Sequence, residues 1–358
     1  MEEWIKCPLG DILNFRRGHD LPKTSMVPGD IPVAGSNGII GFHNVSTPIS
    51  PCITIGRSGN VGTPYIYDIC WAHNTVLYID DYKGNDPKYL YYLLKTLPLA
   101  SFGGGSAVPT LNRNHIHPME VIFCKDTELQ KKIAGILSKI DEKIELNRQI
   151  NDNLEQQASS LLSDWISTYP CRTYKLSDIC KYANAKCETG NLIPQNYIST
   201  ENMLPNKKGI VEASNIPTGK ATCYKVDDVL IANIRPYFQK IWKADINGGC
   251  SADVLCIRAN IESHSPILYW LLHQDAFFEY VMTGAKGCKM PRGDKQHIMN
   301  WSIDLPEVQY WADLATQLGS IDQQIAYNRI ESINLSNLRD TLLPKLMSGE
   351  LEINEIDC

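Results

Sequence analysis

Two stretches of the chain repeat each other and decide its fold: IAGILSKIDEKIELNR at 133–148 and LATQLGSIDQQIAYNR at 314–329. The second stretch follows the first at a shift of 181 residues. The positions that are identical in the two copies are Ala134/Ala315, Leu137/Leu318, Ile140/Ile321, Asp141/Asp322, Ile144/Ile325, Asn147/Asn328 and Arg148/Arg329. A long period that occurs twice indicates two similar domains that each end in the same element.

Apolar residues in both copies recur at alternating steps of four and three residues. This spacing places a narrow apolar seam on one face of a helix, and a period of 3.5 residues is typical of a coiled coil. We therefore predict two long antiparallel helices, at about 128–166 and 308–343, that pack on each other. The alternative interpretation is an ordinary long core helix in each half.

Polar residues interrupt the seam at Asn147, Asn151 and Asn328, where a buried Asn fixes helix register and the choice of partner. The residues predicted to form the helix seam and to dock partner proteins are Ile133, Leu137, Ile140, Ile144, Asn147, Leu154, Leu161, Leu318, Ile321, Ile325, Asn328 and Leu335. Arg339 breaks the pattern in the second helix, and Pro344 is expected to end or kink that helix.

Composition argues for a cytoplasmic protein with reduced thiols. The chain has 358 residues, enough for two domains, and no apolar run approaches the ~18–20 residues of a membrane span. Its start, MEEW, lacks the basic and apolar regions of a signal peptide. The 12 cysteines are scattered without a Cys-x-x-Cys pair, so we expect no metal site.

The distribution of charge permits nucleic-acid binding although the net charge is −6. Segments 1–125 and 169–305 together carry a net charge of +3, whereas 126–168 and 306–358 together carry −9. A basic patch can therefore lie on the globular parts while the acidic helices face solvent or a protein partner.

Turn residues separate short apolar segments, and this pattern predicts an α+β fold with two similar mixed α/β domains. The two domains are predicted to be related by an internal pseudo-two-fold duplication. We predict domain one at 1–125, helix one at 126–168, domain two at 169–305, and helix two with a tail at 306–358. Strand-length apolar runs alternate with Gly, Pro and Asn in domain one, and Asp86-Pro87 begins a short helix. A Gly-rich loop at 101–106 has a basic counterpart at 283–295.

Candidate binding residues lie in these loops, and Arg57 and Arg235 are interpreted as matching points of the two halves. Arg pairs bidentately with guanine and Asn with adenine, while Lys more often contacts phosphate. The predicted DNA-binding residues are Arg57, Ser58, Asn60, Asn112, Arg113, Arg235, Tyr237, Lys240, Lys286, Lys289, Arg292 and Lys295. The alternative for each is a solvated loop residue.

Catalytic signatures are absent from the sequence. The triplet at 218–220 lacks the upstream Gly of a phosphate-binding loop, and neither His-Glu-x-x-His nor Gly-x-Ser-x-Gly occurs. The segment NIRPYF at 233–238 lacks the paired prolines of an amino-methyltransferase motif, and no Gly-rich cofactor loop precedes it. We therefore expect no catalytic residues in this chain.

The chain resembles the specificity (S) subunit of type I restriction–modification systems. The resemblance spans the whole chain: two variable domains are each followed by a repeated helical region, and the chain ends in LLPKLMSGEL at 342–351. Segments 35–41 and 51–62 also look like that family's target-recognition domains. The second half departs from the pattern at Trp311 and Gln317.

The resemblance implies that each domain reads one half of a split DNA target, while the helices set the spacing and dock two methyltransferase subunits. A restriction subunit can then join. The resemblance implies no cofactor in this chain, with S-adenosylmethionine expected in the methyltransferase partner. Two other hypotheses stay open: a duplicated coiled-coil adaptor that binds only proteins, and an enzyme with an unrecognised site. Arg57 and Arg235 buried in salt bridges would favour the adaptor.

Overall fold

The computed structural model describes residues 4–103, 110–287 and 289–351. Residues 104–106 of the Gly-rich loop predicted at 101–106 lie outside the described residues. The chain divides into two compact units. Unit 1 comprises Met1–Leu146 and Glu331–Cys358, and unit 2 comprises Asn147–Ile330.

Unit 1 combines short strands with short helices, as the alternation of apolar runs and turn residues predicts. Its strands are β1 Trp4–Pro8, β2 Asn14–Arg17, β3 Ile31–Gly35, β4 Gly38–His43, β5 Cys52–Gly56, β6 Pro64–Tyr67, β7 Trp71–Ala72, β8 Val76–Asp81 and β9 Glu120–Cys124. Its short helices are α1 Leu9–Ile12, α2 Pro87–Thr96 and α3 Arg113–Ile116. The Asp86 carboxylate accepts a hydrogen bond from the Tyr89 backbone N–H at 2.8 Å, which confirms the predicted cap of α2.

Unit 2 repeats this succession of elements. Its strands are β10 Cys171–Lys175, β11 Cys180–Tyr182, β12 Lys186–Glu188, β13 Tyr197–Ile198, β14 Lys220–Tyr224, β15 Val229–Ala232, β16 Ile241–Lys243, β17 Gly248–Cys250, β18 Val254–Ala259 and β19 Ser302–Pro306. Its short helices are α5 Leu176–Ile179, α6 Ser265–Leu272, α7 Asp275–Thr283 and α8 Lys295–Met299.

The central sheets of the two units have the same topology. The strand order is β2-β8-β5-β6 in unit 1 and β11-β18-β15-β16 in unit 2, with antiparallel neighbours in both sheets. In each unit the first and last strands also form an antiparallel pair, β1 with β9 and β10 with β19. The α+β fold with two similar mixed domains and two long helices is therefore confirmed.

Two long helices pass from one unit into the other: α4 is Thr127–Thr168, and α9 is Trp311–Ser348. The bounds of α4 agree with the prediction. Helix α9 starts three residues later than predicted and runs past Pro344 to Ser348, so the predicted end at 343 is wrong, while a kink at Pro344 stays a prediction. Leu343, Leu346 and Met347 are buried in the core of unit 1, and this burial stabilises the last turn despite the proline.

Contacts within each unit show that the helices run antiparallel. In unit 1, Asp141 pairs with Arg339 at 2.7 Å and Lys143 pairs with Glu331 at 3.2 Å. Residue numbers therefore increase along α4 where those of the facing residues decrease along α9. Arg339, which interrupts the apolar pattern, is thus the ion-pair partner of α4.

The two copies of the repeated Asn meet in unit 2. Asn147 Nδ2 donates to the Asn328 carbonyl at 3.4 Å, and Asn328 Nδ2 donates to Asn151 Oδ1 at 2.8 Å. Asn147 and Asn328 are buried, 1% and 3% exposed. A hydrogen-bonded polar pair at one level of the seam fixes the register of the helices, as the sequence predicts.

Burial along the seam divides the predicted residues into two groups. Ile133, Ile140, Leu137, Leu318 and Ile321 are buried. The half-buried members are Ile144, Leu154, Leu161, Ile325 and Leu335. Near the end of α4 the fully buried residue is Leu162 and not Leu161, because the helix there packs on the core of unit 2. The buried members act inside the chain, so partner docking stays a prediction for the half-buried ones.

The repeated Asp fastens each helix to its globular unit. In unit 1, Asp141 accepts a hydrogen bond from Tyr92 Oη at 2.7 Å in addition to its ion pair with Arg339. In unit 2, Asp322 accepts one from Trp270 Nε1 at 2.9 Å and pairs with Lys243 Nζ at 2.6 Å. The same helix position therefore carries the anchor in both units.

Candidate nucleic-acid interface

The loop that follows β5 is the first part of the candidate site in unit 1. A Cβ on Gly56 would lie 1.7 Å from the Asn60 carbonyl oxygen, so only glycine permits this tight turn. Gly59 has φ +86°, and a Cβ there would lie 3.6 Å from Ser36 Oγ. The loop therefore lies against the β3–β4 turn, which brings the two glycine-rich stretches of this unit together.

Arg57 is half-buried, and its backbone is held from both sides. Its N–H donates to the Thr75 carbonyl at 2.8 Å, and its own carbonyl accepts from the Leu111 N–H at 2.7 Å. The guanidinium Nη1 lies 3.4 Å from the Asn74 carbonyl. Within the described residues Arg57 forms no salt bridge, so most of its donors can face a ligand.

Neighbouring polar residues continue this surface. Ser58 forms an isolated β-bridge with Thr110, and exposed Asn60 accepts a hydrogen bond from Thr63 Oγ1 at 3.1 Å. Asn112 caps α3 by accepting from the Asn114 N–H, and Arg113 Nη1 donates to the Phe15 carbonyl at 3.1 Å. The structure thus brings together Arg57, Ser58, Asn112 and Arg113, because the segment after Thr110 pairs with the loop after β5.

The histidines beside this surface have structural contacts. His117 follows α3, and its Nε2 accepts the Phe15 backbone N–H at 3.1 Å. Burial lowers the pKa of His117, assisted by the positive charge of Arg113. No group of three or more His, Cys, Asp or Glu side chains in 4–103, 110–287 and 289–351 is arranged to hold a metal ion.

Unit 2 builds the same loop after β15 with different residues. The Asn233 N–H donates to the Asp253 carbonyl at 2.8 Å, and its carbonyl accepts from the Gly293 N–H at 3.2 Å. Ile234 then forms a bridge with Arg292, as Ser58 does with Thr110. These contacts make Asn233 the structural equivalent of Arg57.

The interpretation of Arg57 and Arg235 as matching points is therefore wrong by two residues. Arg235 corresponds to Gly59, and both residues are left-handed, with φ 51° and 86°. The loops also differ in length: Gly56 N–H bonds to the Thr63 carbonyl, whereas Ala232 N–H bonds to the Lys240 carbonyl. Unit 2 has one residue more in this loop, after Arg235.

Arg235 and Tyr237 are exposed at this turn, and within the described part of the chain Arg235 makes no salt bridge. Lys240 is half-buried, its Nζ donates to the Thr200 carbonyl at 2.7 Å, and burial lowers its pKa. Neither Arg57 nor Arg235 is therefore buried in a salt bridge, so the condition that would favour a protein-binding adaptor is not met.

The basic loop of unit 2 is partly neutralised by its own acids. Lys286 pairs with Asp294 at 2.6 Å, and Arg292 pairs with Asp253 at 3.2 Å. The hydrogen bond from Lys286 and those from two backbone N–H groups lower the pKa of Asp294 to about 2. Lys295 lies over the Tyr182 ring at 5.7 Å, and Lys289 is exposed. The structure brings Lys286, Arg292 and Arg235 together, because Arg235 N–H donates to the Pro291 carbonyl at 2.8 Å.

Comparison with known proteins agrees with this architecture. Residues 1–156 match the family model described as the type I restriction modification DNA specificity domain. The type I restriction enzyme MjaIX specificity subunit of Methanocaldococcus jannaschii is 25% identical over 313 residues, 75% of this chain and 70% of that protein. Residues 1–156 thus match a type I DNA specificity domain, and most of the chain is similar to a type I specificity subunit.

Other specificity subunits match nearly the whole chain. A putative type I specificity subunit of Mycoplasma genitalium is 22% identical over 389 residues, covering 98% of this chain and 95% of that protein. The crystal structure of the S subunit of a type I restriction–modification system from M. genitalium has a TM-score of 0.63 at 18% identity and covers 96% of both chains. That structure therefore shares the fold of this chain.

Asn233 is the residue of this loop that sequence reasoning does not select as a binding candidate. In the sequence it belongs only to a methyltransferase-like motif, which its context excludes. The signal that identifies it is its place as the first residue after β15, since Arg57 is the first residue after β5. Its Oδ1 atom is buried without a hydrogen-bond partner in the described residues.

None of the helices in the described residues combines the length and apolar character of a membrane span.

Proposed function

We propose that this chain is the non-catalytic specificity subunit of a type I DNA-modification assembly. Each globular unit would read one half of a bipartite DNA target, with Arg57 in unit 1 and Arg235 in unit 2 facing base edges and the half-buried Asn233 holding the loop of unit 2. The observation that carries this proposal is the repeated loop after β5 and β15, which presents polar side chains at the same structural positions. Because those side chains differ, the two half-sites should differ, and the target should be asymmetric.

The helices would give the assembly its spacing and its protein partners. The hydrogen-bonded Asn147–Asn328 pair and the ion pair of Asp141 with Arg339 fix the register of α4 against α9 within each unit. We infer that this fixed register sets a constant gap between the half-sites and that two methyltransferase subunits dock on the helices. Those subunits would bind S-adenosylmethionine, and a restriction and translocation subunit could join them.

The test is to co-express the chain with its methyltransferase subunit and map adenine methylation across the host genome. We expect one split, asymmetric motif with a fixed gap. A stable complex that methylates no defined motif would contradict sequence-specific targeting and would favour the adaptor hypothesis.

The spacing proposal has a separate test in the length of the helices. Matched deletion of one heptad from α4 and from α9 should shift the gap while both half-site sequences stay the same. Substitution of Ser163, an exposed residue of α4, by Ala is a control that keeps helix length. An unchanged gap after the deletions would contradict the role of the helices in spacing.

A further inference from the structure

Unit 2 contains a cluster of strained backbone positions. Asn206, Lys207, Arg235 and Gln239 have φ values of 57°, 62°, 51° and 50°. These are four of the six left-handed non-glycine residues in the described part of the chain. Such conformations cost free energy and persist where the surrounding structure enforces them, often at sites of function.

Three neighbouring segments hold the strained turn in place. The backbone N–H groups of Asn206 and Lys207 donate to the carbonyls of Phe238 and Gln239 at 2.8 and 2.9 Å. The Arg235 N–H donates to the Pro291 carbonyl, and the Gln239 side chain donates to Asp275 Oδ1 at 3.1 Å. The turn is therefore fixed in one conformation before any ligand binds.

This fixed turn presents two aromatic side chains to solvent. Tyr237 is 49% exposed and Phe238 is 37% exposed, and their ring centroids lie 4.7 Å apart. The equivalent turn of unit 1 runs from Gly59 to Gly62, where glycine takes both left-handed positions without strain. Unit 1 therefore has no equivalent aromatic pair at this turn, where Asn60 and Val61 stand instead.

The charge around the aromatic pair suits a polyanion. Arg235 and Lys208 are exposed, and Lys240 Nζ lies 6.0 Å from the centroid of the Phe238 ring. The nearby acid Asp275 is neutralised by Lys207 at 2.6 Å. Exposed aromatic rings beside positively charged side chains are the groups that contact stacked bases and their phosphates.

We propose that Tyr237 and Phe238 form an aromatic wedge that inserts at a base step of the half-site bound by unit 2. The wedge rests on the proposed function and deepens it, because unit 2 would then recognise how easily its half-site unstacks. Pyrimidine–purine steps unstack most easily, so the wedge favours such a step. Unit 1, which has glycines at the same turn, would read its half-site by hydrogen bonds without this distortion.

The test uses the full chain and duplexes that carry the mapped motif, with 2-aminopurine placed in turn at each adenine of either half-site. Its fluorescence rises when the base unstacks. We expect a rise at one step of the unit 2 half-site and none in the unit 1 half-site. The double variant Tyr237→Ala/Phe238→Ala should abolish that rise and weaken binding by about 5- to 100-fold.

Two further variants separate the wedge from general damage. Tyr237→Phe keeps the ring and should keep the fluorescence rise. Tyr327→Ala removes a tyrosine that is 61% exposed on α9, and it should leave affinity and fluorescence unchanged. Circular dichroism of each variant checks that the fold is retained.

The outcomes separate the wedge from the proposed function. A chain that prefers the motif to a scrambled duplex, yet gives no fluorescence rise and tolerates the double alanine variant, overturns the wedge alone. A chain that does not distinguish the motif from the scrambled duplex overturns the proposed function and the wedge with it.

Discussion

Unit 1 and unit 2 share a scaffold but place different side chains on it. The first residue after β5 is Arg57 in unit 1, and the first residue after β15 is Asn233 in unit 2. Two residues later, unit 1 has Gly59 and unit 2 has Arg235. The backbone hydrogen bonds of Arg57 and Asn233 join equivalent segments in the two units. The comparison teaches that the sheet and its hydrogen bonds fix where a side chain is presented, while the loop sequence is free to change what is recognised.

The units also differ in how they hold the long helix that carries the repeated Asp, which is α4 in unit 1 and α9 in unit 2. The Asp322–Lys243 pair of unit 2 is 10% and 13% exposed at its side chains, whereas Asp141 and Arg339 of unit 1 are 28% and 20% exposed. Arg329 adds a second anchor in unit 2, since it pairs with Asp245 and lies 5.9 Å from the centroid of the Trp242 ring. Unit 2 therefore depends more strongly on buried charge.

The largest effect that tests this difference is expected for Asp322→Ala. Removal of Asp322 leaves Trp270 Nε1 buried without its acceptor and leaves Lys243 paired with Asp227 alone, which should lower the free energy of unfolding by about 2–3 kcal/mol. The matched variant Asp141→Ala should cost about 1–2 kcal/mol, because its charged partner Arg339 reaches solvent. Urea denaturation of both variants measures the difference. Equal losses would contradict the stronger dependence of unit 2 on buried charge.

The next effect concerns acid sensitivity. His273 follows α6 and is 6% exposed, and burial followed by the charge of Lys207 lowers its pKa from 6.5 to about 3. The residue that corresponds to it when Pro87 and Pro266 are aligned is Leu94 in unit 1. Below pH 6.5 the unfolded chain binds a proton that the folded chain does not, so stability falls as pH falls.

The loss should approach about 1.4 kcal/mol per pH unit between pH 6 and pH 4. His273→Leu, which copies unit 1, should remove this part of the pH dependence, as followed by thermal unfolding at each pH. His43 is a second buried histidine, in unit 1, and His43→Leu serves as a comparison variant. If His273→Leu unfolds with the pH dependence of the parent chain, the buried neutral histidine is not the cause.

The smallest expected effect concerns the strained turn. Arg235→Gly copies the glycine of unit 1 and should raise the free energy of unfolding by about 1 kcal/mol, because glycine adopts a positive φ without strain. Gly59→Ala should lower it by a similar amount. Denaturant midpoints of the two variants measure these opposite signs, and a shift in the same direction for both would refute the equivalence of the two turns.

Local sequence signals predicted the elements that depend on period and capping. The 3.5-residue period gave both long helices, and the Asp86-Pro87 pair gave the start of α2. The match of Arg57 with Arg235 failed because Arg57 is the first residue after β5 whereas Arg235 is the third after β15, and the hydrogen bonds of Asn233 reveal the true register. The continuation of α9 past Pro344 depends on burial of Leu346 and Met347 by distant residues of unit 1, which local sequence does not encode.

The measurement that tests the central claim most directly is the methylation motif of two variants beside the parent chain. With the methyltransferase subunit present, Arg57→Ala should relax one half of the split motif, and Asn233→Ala should relax the other half. The gap should stay the same in both, since neither residue lies in a helix. Loss of specificity in the same half, or an unchanged motif in both variants, would contradict the claim that equivalent loops of the two units read separate halves of one target.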